Sequence, residues 1–340
     1  MAKRSPAEQY DQIVARLLGR PDTPLERSGA TRPFRAGLAP VLEIVGALKN
    51  LPRVGFKARL QADLERRASM ATQAAKPANY MREGFHSLTP YLIVPGAAQW
   101  IDFVKRAFGA EEHLRVKRPG AEHLIMHAEL QIGDSVVELA DATAEFAPMS
   151  STLLLRVPDV DAVYNRAVQA GAKPFDPVRD NPYGTRGGTV TDDSGNRWHI
   201  FTPVPGDQIF KDFRSVTPHL YASEPVRLIE FLQRAFGGSE IYRAQMPDGS
   251  IPHAQVRIGD SIVALAGGRG PYQAMPSSLH LFVPDTDAAY EQALRAGATS
   301  IGAPADHPYG ERGAGVIDPF GNRWFIATYL RNAPSPERTP

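Results

Sequence analysis

The sequence predicts an α+β protein: two tandem copies of a domain, each holding two βαβββ units, behind a helical N-terminal extension. Three observations predict it. Residues 86–204 are repeated in residues 214–330. Within each copy, short runs of strand type are interrupted twice by a helical period. Residues 1–80 share neither pattern.

The repeat decides the architecture. Thr89-Pro90 answers to Thr217-Pro218, and Phe103 with Arg106-Ala107-Phe108-Gly109 answers to Phe231 with Arg234-Ala235-Phe236-Gly237, at an offset of 128 residues. From His127-Ala128 against His253-Ala254 the offset is 126, and it holds through Ile132-Gly133-Asp134-Ser135, Val157-Pro158-Asp159, Pro182-Tyr183-Gly184 and Gly195-Asn196-Arg197-Trp198. One loop that differs by two residues accounts for the change. A period this long makes each copy a whole domain rather than a solenoid unit. The domains are placed at 84–205 and 213–331, with a tail at 332–340 whose prolines suit disorder.

In order, LTPYLIV reads as a strand. AAQWIDFVKRAFG follows as a helix, with Trp100, Phe103, Val104 and Phe108 on one face and Gly109 as its C-terminal cap. HLRVKR, HLIMHAELQIG and DSVVELAD are strands, the last two joined by a two-residue Gly-Asp turn. TLLLRV restarts the pattern, DVDAVYNRAVQAG is its helix, and the unit closes on GNRWHIFT. In the extension, AEQYDQIVARLLG and FKARLQADLERRAS have helical spacing, broken by Pro and Gly around residues 21–40. It reads as a helical appendage or dimerisation arm, and a homodimer is left open.

Composition narrows the function. Lys and Arg total 38 against 37 Asp and Glu, so no charge excess points to nucleic acid or to a polybasic membrane contact. The absence of cysteine removes disulfides, thiol catalysis and zinc–thiolate sites, and suits a reducing compartment. No apolar run approaches membrane-spanning length, and MAKRSPAEQYDQ lacks the apolar centre of a signal peptide. The expectation is a cytoplasmic protein whose partner is a small molecule. No P-loop glycine pattern and no GxSxG elbow supports nucleotide or serine hydrolysis.

Four βαβββ units carrying TPYL, RAFGA, HAELQIGDS, PYGTR and DDSGNRWHI, then TPHLY, RAFGG, MPDGSIPHAQVRIGDS, HPYGER and DPFGNRW, resemble the vicinal-oxygen-chelate superfamily of glyoxalases, bleomycin-resistance proteins and extradiol dioxygenases, in particular its PhnB-like branch. The resemblance covers residues 86–330. It implies tandem glyoxalase-like domains, each pair of βαβββ units forming a cup-shaped mixed sheet flanked by helices, with the ligand in the cup. Whether the cups form within each copy or by exchange between copies is left open. The superfamily includes lyases, epimerases, dioxygenases, thiol transferases and drug-sequestering proteins, so fold alone does not select a chemistry.

In metal-bearing members the ligands come from the first and last strands of each unit. Those positions are Thr89, Glu138, Thr152 and His199 in the first copy, and Thr217, Ala264, Ser278 and Phe325 in the second. Glu138 and His199 are thus the candidate metal ligands, with His127 as a third, and Glu138 is the candidate catalytic base. His253 repeats His127 where the second copy lacks a ligand set, which favours a shared hydrogen-bonding role. His219 and His280 keep the inward parity, as ligand-binding residues or as a displaced metal pair. Tyr183 with Arg186, and Tyr309 with Arg312, lie in turns expected over the cup mouth. Tyr91, Tyr183, Tyr221, Tyr309 and Phe325 supply stacking surface. Trp198 and Trp324 take the outer parity, against a helix.

The depleted ligand set favours a protein that binds an aromatic or hydrophobic small molecule, such as an antibiotic or toxin, with the cofactor unassigned and a divalent metal in the first domain admitted but not favoured. The alternative is a metal-dependent lyase, isomerase or dioxygenase with the first domain catalytic. A third reading makes the tandem domains a metabolite sensor acting through the extension, although no DNA-recognition motif accompanies it.

Overall fold

The computed structural model describes residues 80–330, so the expected extension before Tyr80 and the tail at 332–340 lie outside the described residues. The four expected βαβββ units are present. The first comprises β1 (Leu88–Val94), α1 (Ala97–Phe108), β2 (Glu111–Arg118), β3 (Ala121–Ile132) and β4 (Ser135–Asp141), and the second β5 (Thr152–Arg156), α2 (Val160–Gln169), β6 (Lys173–Asn181), β7 (Thr185–Thr191) and β8 (Arg197–Pro203). The third runs β9 (Val216–Ala222), α3 (Pro225–Phe236), β10 (Ser239–Ala244), β11 (His253–Ile258) and β12 (Ser261–Gly267). The fourth is β13 (Ser278–Phe282), α4 (Thr286–Arg295), β14 (Thr299–His307), β15 (Glu311–Ile317) and β16 (Arg323–Tyr329).

The repeated Val-Pro-Asp element starts a helix: Asp159 and Asp285 are N-caps whose carboxylates accept from the backbone N–H of Ala162 and Ala288, each at 3.0 Å. Among the described residues no helix is long and apolar enough to cross a membrane.

The units pair by exchange. Sheet one has the order β14-β15-β16-β13-β1-β4-β3-β2, joining the first unit to the fourth, and sheet two has the order β10-β11-β12-β9-β5-β8-β7-β6, joining the second to the third. In both sheets the first strands of the two units meet antiparallel, with Thr89 opposite His280 and Leu154 opposite Thr217. The hydrophobic cores nevertheless follow the sequence copies. Strand alternation sends Leu92, Val137 and Leu139 from sheet one, and Leu153, Trp198 and Ile200 from sheet two, into one core with Trp100, Ile101 and Val104 of α1. Trp198 lies 4.5 Å, centroid to centroid, from Phe108, in the outward position expected of it. The second copy repeats this around Trp324 and α3. One face of every half-sheet is therefore committed to the core of its own copy, and the opposite face, shared with the other copy, carries two smaller apolar clusters, around Phe85 and Phe282 on sheet one and around Phe201, Phe210 and Phe213 on sheet two.

The repeated Ile-Gly-Asp-Ser hairpin locks this exchange. Asp260 Oδ1 accepts from Ser87 N at 2.8 Å just before β1, and Asp134 Oδ1 accepts from Ser215 N at 2.7 Å just before β9. Each hairpin of one sheet thereby holds the chain leading into the other. Gly133 and Gly259 stand at φ 59° and 58°, and a Cβ at either would overlap the hydroxyl of Ser215 or Ser87, so glycine is required twice over. Burial opposes ionisation of Asp260, but hydrogen bonds from His86, Ser87 and Ser261 prevail and hold its pKa well below the usual carboxylate range.

Candidate functional site

The exchange creates two related faces, one per sheet. On sheet one, register aligns Glu129 and Tyr91 with Glu138, and His280 with Phe325, so these side chains share a face. Glu138 Oε2 and His280 Nδ1 are 2.7 Å apart, His280 Nε2 faces Glu311 Oε2 at 3.7 Å, and His127 Nε2 lies 3.2 Å from Glu129 Oε1 and 3.8 Å from Glu138 Oε1. Arg82 donates to Glu129 at 2.5 Å. Glu129, Glu138, His280 and Glu311 are all buried. Burial alone would discharge the His280 ring, but Glu138 and Glu311 raise its pKa to about 9 and keep it an imidazolium. Burial pushes the Glu311 carboxyl up, whereas His127 and Arg82 overcome burial at Glu129 and draw it down. Tyr91 and Phe325 rings, 5.0 Å apart, wall this charged cluster, and Tyr309 is half exposed and stacked on His307.

The donor set of His127, Glu129 and Glu138 suits a divalent ion, its ligand atoms all lying within 4.8 Å of one another. These carboxylates also accept from Arg82 and His280, so an ion would have to compete with two cationic partners.

On sheet two the corresponding row is neutral. Gln255 and Ala264 stand where sheet one has Glu129 and Glu138, Leu154 where it has His280, and His219 and His199 where it has Tyr91 and Phe325. A cavity of about 310 Å³ opens on this face, lined among others by His199, His219, His253, Tyr221, Tyr272 and Phe210. His199 is held at both nitrogens, Nδ1 by Thr189 Oγ1 at 2.6 Å and Nε2 by the Tyr221 hydroxyl at 3.1 Å. Tyr272 stacks on Tyr221 with centroids 5.5 Å apart and donates to Asp176 at 3.2 Å. Gln255 Nε2 lies 3.0 Å from His253 Nε2 and also donates to Ile209 O at 2.9 Å. Burial, aided by Arg197, lowers the His199 pKa to about 4, burial alone does the same to His253, and burial with both neighbouring imidazoles takes His219 well below its usual value. All three rings are neutral at physiological pH.

The structure gathers Tyr91, His127, Glu138, His280, Tyr309 and Phe325 around sheet one, and Tyr183, His199, His219, Tyr221 and His253 around sheet two. One expected pairing, Glu138 with His199, is corrected, and one alternative, His219 with His280 as a metal pair, falls with it. Glu138 lies on β4 of sheet one and His199 on β8 of sheet two, so they cannot share an ion; likewise His219 and His280 lie on different sheets. The expected inward parity of both histidines holds. Arg186 and Arg312 do not reach over the site. Arg186 binds Asp161 of α2 at 2.7 and 2.9 Å and Asp180 at 3.0 Å, and Arg312 binds Asp287 of α4 and Asp306 in the same way, because their strand parity turns them to the helix side.

Sequence reading missed Arg82, Glu129, Glu311 and Tyr272. Glu129 was open to the parity rule, two residues from His127 on one strand. Arg82 precedes the repeat, and Tyr272 sits in the loop after β12, so no periodicity flagged either. Arg197 was also missed; its guanidinium lies 4.4 Å over the Phe175 ring with Nη1 buried and unpartnered.

The profile of the Glyoxalase/Bleomycin resistance protein/Dioxygenase superfamily matches residues 84–200 and 215–326, and the chain belongs to this superfamily. Uncharacterised proteins of Mycobacterium bovis and Mycobacterium tuberculosis are each 34% identical over 128 residues, covering 34% of this chain and 84% or 75% of theirs. The crystal structure of glyoxalase I from Zea mays superposes with a TM-score of 0.54 at 16% identity, covering 71% of this chain and 92% of that one, which is a likeness of fold.

Proposed function

We propose that this protein binds an aromatic small molecule on sheet two and sequesters it, as an antibiotic or toxin, without transforming it. The observation that carries this is the 310 Å³ cavity walled by tyrosines, phenylalanines and neutral imidazoles. Apolar walls with a few placed polar groups are what a small-molecule pocket needs. His199 is tied to Thr189 and Tyr221, a neutral and fully engaged ring suited to shaping a wall. Asp176 of β6 and Tyr242 of β10, from opposite edges of the strand order, line the same cavity, which supports a sheet curled into a cup.

A metal-dependent lyase, isomerase or dioxygenase is the second reading, favoured by the cluster on sheet one. There His127, Glu129 and Glu138 would hold the ion, which would supply electrostatic stabilisation of a developing oxyanion. Glu311, buried and drawn toward its protonated form, would be the proton carrier.

A thermal-shift screen of small aromatic compounds against the wild type and Ala244→Trp tests the binding proposal. Ala244 is half buried at the cavity edge, so an indole there blocks the space without disturbing a core. Compounds that stabilise the wild type but not the variant are expected. Equal stabilisation of both, or stabilisation by none, contradicts the proposal.

A further inference from the structure

We infer that the sheet-two cavity takes an uncharged, planar hydroxyaromatic molecule whose hydroxyl is bound by His219. The inference rests on the binding proposal above and names the chemistry of the ligand.

His219 is 6% exposed and lines the cavity, yet neither Nδ1 nor Nε2 has a hydrogen-bond partner in the protein. Buried polar groups are nearly always paired, so a ring with both nitrogens free at a cavity wall marks a place where a ligand supplies the partner. Its neighbours are engaged. Both His199 nitrogens are taken by Thr189 and Tyr221, and Gln255 occupies Nε2 of His253. A neutral imidazole presents one donor and one acceptor, and a hydroxyl can satisfy either.

The charge of the ligand follows from what the wall lacks. The positions that hold Glu129 and Glu138 on sheet one hold Gln255 and Ala264 here. The lining carboxylate, Asp176, is paired with the lining guanidinium, Arg179, through Nη2 at 2.8 Å. Among the lining residues no charge is left unpaired, and the nearby Arg197 guanidinium, with Nη1 unpartnered, is not part of the lining but is stacked over Phe175 and Tyr272, so a charged molecule would lose its hydration on entering. Planarity follows from the lining: Tyr221 lies 4.5 Å from His219 and 5.5 Å from Tyr272, with the two tyrosine planes inclined by 21°, so the three rings pack into one aromatic surface on which a flat molecule can lie. The volume suits one or two fused rings.

Calorimetric titration of the intact chain with 2-naphthol, 2-naphthoate and 2-naphthylmethylammonium tests this directly. The expected result is one 2-naphthol per chain, bound at least about tenfold more tightly than either charged analogue. His219→Phe should weaken 2-naphthol about tenfold or more, while His219→Gln, which keeps a donor and an acceptor, should retain most of the affinity. Should the phenylalanine variant fail to fold by circular dichroism, the wild-type ranking and the glutamine variant decide the matter. A charged analogue bound as tightly as 2-naphthol overturns the ligand class and leaves the binding proposal standing. Unchanged 2-naphthol affinity in His219→Phe overturns the role of His219. If none of the three binds while the thermal-shift screen still finds a cavity ligand, the hydroxyaromatic class alone falls; if that screen is empty too, both fall.

Discussion

Glu138 Oε2 and His280 Nδ1 lie 2.7 Å apart across 142 residues of sequence. One side chain closes the first unit of the first copy and the other opens the second unit of the second copy, so the buried pair exists only because the units are exchanged.

Breaking this pair should be costly. Glu138→Ala or His280→Ala leaves the other group buried without its partner, a loss of roughly 3–5 kcal/mol in urea unfolding. The pair also predicts alkaline sensitivity. The folded His280 pKa, about 9, exceeds its unfolded value, so the native state holds the extra proton between them and stability falls as pH rises through that window. The contribution is fully present below the unfolded pKa of roughly 6.5. Wild type should lose stability between pH 7 and 9.5, and Glu138→Gln should flatten that slope.

Sheet two predicts the opposite sign on the acid side. His199 and His253 have folded pKa values of about 4, below the unfolded value, so the unfolded chain takes up protons first as pH falls and stability declines toward pH 4. His199→Phe, the residue found at the matching position of sheet one, should reduce the acid slope measured by unfolding at pH 7 and pH 5.

Gly133→Ala and Gly259→Ala should each destabilise the fold by about 2–4 kcal/mol, combining a left-handed backbone with overlap against Ser215 or Ser87. Unfolding midpoints in urea check this. A neutral outcome would mean the hairpins do not lock the two sheets.

Arg186→Ala and Arg312→Ala should leave ligand affinity unchanged, because both guanidiniums are clamped to helix-side aspartates. Titration calorimetry on the two variants checks this, and a tenfold loss of affinity in either would put these residues back at the site.

Much of the fold was legible because periodicity and punctuation agree. LTPYLIV is β1 to the residue, Gly109 caps α1, and Gly133-Asp134 makes the expected turn. Parity correctly turned Trp198 to the core and His219 and His280 to the open face. What sequence cannot carry is which half-sheet pairs with which: β1 presents the same alternation to β13 as it would to any other first strand. That ambiguity hides the Glu138–His280 contact from the sequence. Arg186 shows a second limit. Its turn motif suggested a cup-mouth position, but Asp161 and Asp180 were visible only as scattered acidic residues until the chain folded.

The most direct test is a crystal structure of the protein soaked with 2-naphthol. Density for the molecule in the sheet-two cavity, against the aromatic surface of Tyr221 and Tyr272 and with its hydroxyl in hydrogen-bond reach of a His219 nitrogen, is the predicted result. Density beside Glu138 and His280 on sheet one, with the sheet-two cavity holding only water, would contradict it.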